Sequence, residues 1–152
     1  MNIRTVLVSL AACAVLAACS SVPYGQRLAA RQSEVLAAAG APVNSFRYFN
    51  DMYSWEPLGD TQLVVYTRPN EAYLLDLGMH CQDLTTDIGI GLTSSFNQVT
   101  VRFDRVLTGR QNIPCVIEKI RPIDVTRLHE AQKERRKIES APRPDTQAQP
   151  AG

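Results

Sequence analysis

Gln62-Leu-Val-Val-Tyr-Thr-Arg-Pro-Asn-Glu-Ala-Tyr-Leu-Leu-Asp-Leu77 decides the architecture. Two runs rich in β-branched, aromatic and aliphatic residues, 62–67 and 72–77, flank Arg68-Pro69-Asn70-Glu71. Proline and asparagine side by side are turn chemistry, so the stretch predicts an antiparallel hairpin that pairs 63–67 with 73–77. Working outward, similar short runs occur at 45–49, 54–57, 98–107 and 115–121, separated by Asn-Asp, Gly-Asp and glycine-containing breaks. Each reads as a strand. In 98–107, Val99, Val101 and Phe103 alternate with Thr100, Arg102 and Asp104, which predicts one face on a core and the other in water. A second hairpin is expected to pair 99–107 with 116–121 across 108–114. The strands have no helical stretch between them long enough for a crossover, so a parallel sheet is disfavoured. The expected fold class is mainly β, a small antiparallel barrel or sandwich.

On the N-terminal side, residues 24–39 read as an alanine-rich helix with Tyr24, Leu28, Val35 and Ala39 near one face, stopped by Gly40 and Pro42. Its weak apolar face fits a spacer with partial packing. On the C-terminal side, Arg127-Leu-His-Glu-Ala-Gln-Lys-Glu-Arg-Arg-Lys-Ile138 reads as a short exposed helix. The last stretch, 140–152, is too polar and proline-rich to bury anything and is expected to be disordered.

The first residues are a targeting segment: Arg4, the apolar run Val6-Leu-Val-Ser-Leu-Ala-Ala-Cys-Ala-Val-Leu16, then small residues. From Val6 to Ala18 the run is shorter than the ~20 residues a membrane-spanning helix needs. Leu16-Ala17-Ala18-Cys19 resembles the bacterial lipobox. A thiol at Cys19 takes a diacylglyceryl group, and Ala17 and Ala18 let the backbone enter a peptidase cleft. The same tetrapeptide at Leu10-Ala11-Ala12-Cys13 leaves too short an apolar run before it, so Cys19 is the expected lipidation site. The alternative is an ordinary cleaved signal peptide in which Cys19 is incidental. Ser20 stands where Asp would signal inner-membrane retention, which favours the outer membrane. The expected division is therefore a signal peptide at 1–18, a lipidated tether and helix at 19–43, a β domain at 44–126 and a charged helix with a tail at 127–152.

With Cys13 removed and Cys19 consumed, Cys81 and Cys115 remain, and an oxidising periplasm predicts a disulfide between them. Closing a loop of about 35 residues contributes roughly 3 to 4 kcal/mol on the chain-entropy model. Two reduced, buried thiols are the alternative.

Charge announces no partner: the formal net charge is +1 and the sequence pI about 7.7. Nucleic acid is not expected as a partner. His80 beside Cys81 suggests a thiol nucleophile, but neighbours on an extended strand point to opposite faces, so the imidazole does not easily reach that sulfur. Zinc held by His80, Cys81, Cys115 and His129 would have four donors but none of the close pairs that nucleate such sites. Gly89-Ile-Gly-Leu-Thr-Ser-Ser95 lacks the Gly-Lys-Ser/Thr and strand-to-helix context of a phosphate loop and reads as a turn or kinked strand. Asp83 with Asp87, and Glu56 with Asp60, are spaced by four but lie in strand and loop, where solvated surface charge explains them. Lys133-Glu-Arg-Arg-Lys137 is the only basic cluster. Glu130, Glu134 and Glu139 dilute it, and a solvated helix face is favoured over contact with anionic headgroups. Tyr53 and Trp55 are either a binding face or core aromatics. No metal and no cofactor is expected.

Trp55-Glu-Pro-Leu58, Leu63-Val-Val-Tyr-Thr67, Ala72-Tyr-Leu-Leu-Asp-Leu77, Cys81-x-x-Leu84, Thr93-Ser94, Arg102-Phe-Asp-Arg-Val106 and Cys115-x-Ile-x-x-Ile-Arg-Pro122 together carry a resemblance. They resemble a family of small proteobacterial lipoproteins of unknown function, over residues 45–127. The resemblance implies a compartment and a compact domain, with no catalytic residue to carry over. The leading expectation is a non-enzymatic, lipid-anchored module at the periplasmic face of the outer membrane that binds an envelope protein or glycan. The alternatives are a small-molecule or lipid carrier, which needs an enclosed apolar cavity, and a hydrolase or thiol enzyme, which needs a polar cleft around His80.

Overall fold

The computed structural model describes residues 22–78, 81, 84–109 and 113–140. In chain order these form α1 (Tyr24–Ala38), β1 (Ser45–Arg47), β2 (Ser54–Pro57), β3 (Gln62–Arg68), β4 (Glu71–Leu77), β5 (Gly91–Leu92), β6 (Gln98–Thr100), β7 (Arg105–Thr108), β8 (Ile113–Ile123) and α2 (Val125–Ser140). The fold is mainly β: a curled, six-stranded antiparallel half-barrel in the order β2-β3-β4-β8-β7-β5, plus a two-stranded sheet of β1 and β6.

The hairpin at the centre forms as its sequence dictates. β3 and β4 pair from Gln62↔Asp76 to Arg68↔Glu71 around Pro69-Asn70. Their runs are apolar on both faces because both faces are covered. Leu63, Val65, Leu75 and Leu77 join Phe46, Val99, Val106, Ile117 and Ile120 in an inner core that β1 and β6 help to close. Val64, Ala72 and Leu74 join Val35, Ala38, Val125 and Leu128 of the two helices in an outer one. A period of two with both phases apolar is what a sheet between two layers requires. β8 keeps its apolar phase through a bulge: the register moves from Asp76↔Lys119 to Leu77↔Ile117, so Ile117 and Ile120 both face inward.

The sequence reading expects α1 to be a spacer with partial packing and α2 an exposed segment; both helices pack on the sheet. α1 buries Val35 and Ala38, and Arg31 and Gln32 bind β2 and the residue after it. α2 starts two residues earlier than expected because Asp124 caps it. The Asp124 Oδ1 accepts a hydrogen bond from the Arg127 amide at 3.0 Å. α2 then buries Val125 and Leu128 against α1 and the sheet. The amphipathic signal was weak because only one turn of α2 touches the core. Of the tail expected to be disordered, Ser140 ends α2, and the rest lies outside the described residues.

The expected strand at 98–107 is two strands. The chain turns at 101–104, where Arg102 has φ +63° and donates its amide to the Ile117 carbonyl at 2.7 Å. Asp104, expected in water, is 2% exposed, and Phe103, expected in the core, is 68% exposed. The Asp104 carboxylate accepts from the Thr100 amide at 2.8 Å and the Thr93 hydroxyl at 2.9 Å. The Arg105 guanidinium donates to the carbonyls of Arg102, Phe103 and Asp104. These bonds close the turn and reverse the inside-outside pattern after Thr100. The second hairpin accordingly pairs 105–108 with 113–116, while β6 leaves to pair with β1.

Cys81 and Cys115 are joined, with Cα atoms 5.2 Å apart. The bridge ties the segment after β4 to the start of β8.

Candidate functional site

A groove of about 400 Å³ opens where the segment after β1 meets the β3–β4 hairpin, lined by Arg47, Phe49, Asp51, Thr67, Arg68 and Glu71. Its position follows from β1. Phe46 turns into the core and stacks on Tyr73 of β4, with ring centroids 4.2 Å apart. Tyr48 meets Phe46 edge-on at 6.4 Å. With the even-numbered side chains buried, Arg47 and Phe49 must point outward.

A second turn builds the rim. Ser95 and Gln98 exchange backbone hydrogen bonds at 2.9 and 3.0 Å, and Phe96 and Asn97 between them have φ +52° and +59°. This is the two-residue hairpin turn of type I′. Asparagine suits it. A bulky residue in the left-handed region stores on the order of 1 kcal/mol of strain. Phe96 is nevertheless 100% exposed, so no burial offsets that strain. The turn is docked on the β1 side: the Asn97 carbonyl accepts from the Tyr48 amide at 2.8 Å, and Ser94 Oγ donates to Asn50 Oδ1 at 3.0 Å. Asn50 also has a positive φ, +61°. Phe49 and Tyr53, 58% and 64% exposed, complete a group of outward aromatics at this end.

Burial, and then the nearby Glu71 carboxylate, push the Tyr73 phenol up to about 12, and its hydroxyl donates to Glu71 at 2.7 Å. Burial first and Asp51 second push Tyr48 up. Both phenols stay protonated at neutral pH, as hydrogen-bonding and stacking groups. Aromatic faces, two guanidinium groups and two carboxylates suit recognition of a polar ligand or partner surface.

The described residues among those singled out in the sequence do not line this groove. Cys19, His80 and Asp83 lie outside the described residues. Cys81 and Cys115 are buried in their disulfide, and His129 is exposed on α2. Among the described residues no cluster of three or more His, Cys, Asp or Glu side chains forms a metal set. Gly91 and Leu92 form β5, and Ser95 opens the type I′ turn. Asp87 accepts from the Gly109 amide. Glu56 is a correction to the solvated reading. It is half-buried and takes two hydrogen bonds from Arg31, while Asp60 is exposed. Trp55 packs on the inner core and Tyr53 faces out. The sequence signal that marks the rim is Asn97, a residue suited to positive φ, beside Phe96. The inner faces of the half-barrel are filled by mutually packed side chains, which gives the carrier reading no support. No described helix is long and apolar enough to cross a membrane.

The chain belongs to a family of unknown function, DUF6491, whose model matches residues 2–139 and so takes in both the apolar N-terminal run and the β-rich part of the chain. No curated protein and no solved structure matches it.

Proposed function

We propose that this protein is a lipid-anchored envelope module, held through Cys19 at the periplasmic face of the outer membrane, that binds an envelope protein or glycan without catalysing a reaction. The supporting observation is the separation of the two ends of the domain. α1 runs from the level of Leu58 and Gly59, where Gln32 Nε2 donates to the Leu58 carbonyl, to the level of Ile123, where Ala39 bridges it. Ile123 pairs with Ala72, beside the β3–β4 turn. The start of α1 therefore points away from the groove. A module tethered at residue 19 would present Phe49, Phe96, Arg47 and Arg68 toward the periplasm, away from its anchor. The leader with its lipobox and the disulfide, which suits an oxidising compartment, support the address.

Two measurements test this reading. The intact mass of the mature protein should show residue 19 as the N-terminus, carrying acyl chains. A photo-crosslinking residue at position 96 should trap a discrete partner in intact cells, whereas one at exposed Ser33 on α1 should not. An unacylated mature chain would falsify the anchor, and indistinguishable crosslinks from the two positions would remove the groove from the account.

A further inference from the structure

We infer that the end of the domain formed by the start of α1 and the last turns of α2 is a membrane-contacting surface for an anionic lipid bilayer; this rests on the lipidation of Cys19 proposed above.

The two helices are antiparallel. The Asp124 amide donates to the Ala38 carbonyl at 2.9 Å, and Val35 and Leu128 share the outer core. Further along, Arg135 Nε meets Glu34 at 3.0 Å, and the Gln132 amide oxygen, turned toward Arg31, accepts at 2.6 Å. This register carries Tyr24 to the level of the last turn of α2. The segment leading to Cys19 and the end of α2 thus leave the domain on the same side.

That side has the composition of an interfacial surface. From Ala131 to Ser140 there are four Lys or Arg against two Glu, and Arg27 adds another cation on α1. Lys133, Arg136 and Lys137 are exposed, and Lys137 pairs with Glu134 at 2.7 Å. Beside them Val22, Tyr24 and Ile138 are 49%, 63% and 77% exposed. Apolar and tyrosine side chains interleaved with cations are what a headgroup region of anionic lipid accepts. The sequence alone favoured a solvated face because nothing in it showed where the cluster lies relative to the anchor.

Tether length decides the matter. Five residue steps separate Cys19 from Tyr24, a reach of at most ~18 Å when fully extended. α1 itself, with 15 residues, is about 22 Å long. An acylated Cys19 therefore keeps the start of α1 within ~18 Å of the bilayer and lets it come down onto the surface, where the cations enter the layer of about 8 to 10 Å in which the surface potential is felt.

The test uses the lipidated mature protein on vesicles of phosphatidylcholine, and on the same vesicles containing phosphatidylglycerol. Amide exchange in residues 131–140 is expected to slow by ~10-fold or more on the anionic vesicles. Added salt should abolish the slowing. Lys133→Gln/Arg136→Gln/Lys137→Gln should lose it, while Arg127→Gln, near the other end of α2, should keep it. Equal exchange on both vesicles, or an unaffected triple variant, overturns the inference and leaves the anchor standing. A chain recovered without acyl groups overturns the anchor and this inference together.

Discussion

Arg31 on α1 grips Glu56 on β2 with two hydrogen bonds, Nε to Oε1 at 2.7 Å and Nη2 to Oε2 at 2.6 Å. The Arg31 side chain is 14% exposed and that of Glu56 34%. The Glu56 hydrogen bond is the largest influence on the guanidinium, outweighing the opposing effect of burial, and it pushes the Arg31 pKa up. This pair, with Gln32, fixes α1 across the edge strand. Arg31→Met keeps the aliphatic stem but leaves Glu56 without its partner, and is expected to lower unfolding stability by about 1 to 3 kcal/mol. Urea denaturation reads this as a lower midpoint with an unchanged slope; an unchanged midpoint would mean that α1 docks through Val35 and Ala38 alone.

The turn at 101–104 depends on a buried carboxylate. Asp104→Ala removes the acceptor for the Thr100 amide and the Thr93 hydroxyl together, at an expected loss of about 2 to 4 kcal/mol. Asp104→Asn retains one acceptor and should fall between the variant and the native protein. Both are measured by thermal unfolding. Stabilities equal to that of the native chain would mean that the Arg105 guanidinium holds the turn unaided.

Alkaline pH should weaken the fold through Tyr73. Its phenol rises from the ordinary 10.0 to about 12, because burial and Glu71 disfavour the phenolate. The stabilisation is fully present below pH 10, where both states are protonated. It is lost as pH rises from 10 toward 12, because the unfolded chain releases its proton first. Tyr73→Phe should flatten the decline of melting temperature across that window, and phenolate absorbance should show one fewer late-titrating tyrosine in that variant, with Tyr48 and Tyr66 still raised.

Cys81 and Cys115 close a separation of 34 residues. Replacing both by serine is expected to lower stability by about 3 to 4 kcal/mol on the chain-entropy account. Reductant should lower the native urea midpoint to that of the variant and leave the variant unchanged.

Phe96 offers a sharper test of the groove. Phe96→Asn places a residue suited to φ +52° in the first corner of the type I′ turn. It should stabilise the protein by about 0.5 to 1 kcal/mol. If the rim serves recognition, partner crosslinking from neighbouring positions falls in the same variant. Higher stability with undiminished crosslinking would leave the strained phenylalanine without a role in binding.

How much of this was legible depended on how local the controlling interactions are. The β3–β4 hairpin could be read because its turn residues and flanking runs are contiguous. The segment 98–107 was misread because its alternation satisfies a continuous strand equally well. What breaks it, Asp104 bonded to Thr93 and Arg102 bonded to Ile117, comes from residues distant in sequence or carries no compositional mark. β5 has only two residues, too few for any pattern. For the groove, Phe49 and Phe96 look like core aromatics until β1 is placed and Phe46 and Tyr48 take the inward positions. Arg31 and Glu56 meet across 25 residues, which no local spacing reports.

The outer face of the central sheet is covered by Val35 from one end of the chain and Leu128 from the other, and the strands they cover come between them. Native packing on that face therefore cannot be completed while synthesis is still in the strands. Until α2 has left the ribosome, Val64 and Leu74 lack the cover that Val125 and Leu128 provide, and the nascent polypeptide runs the risk of self-association through that bare face.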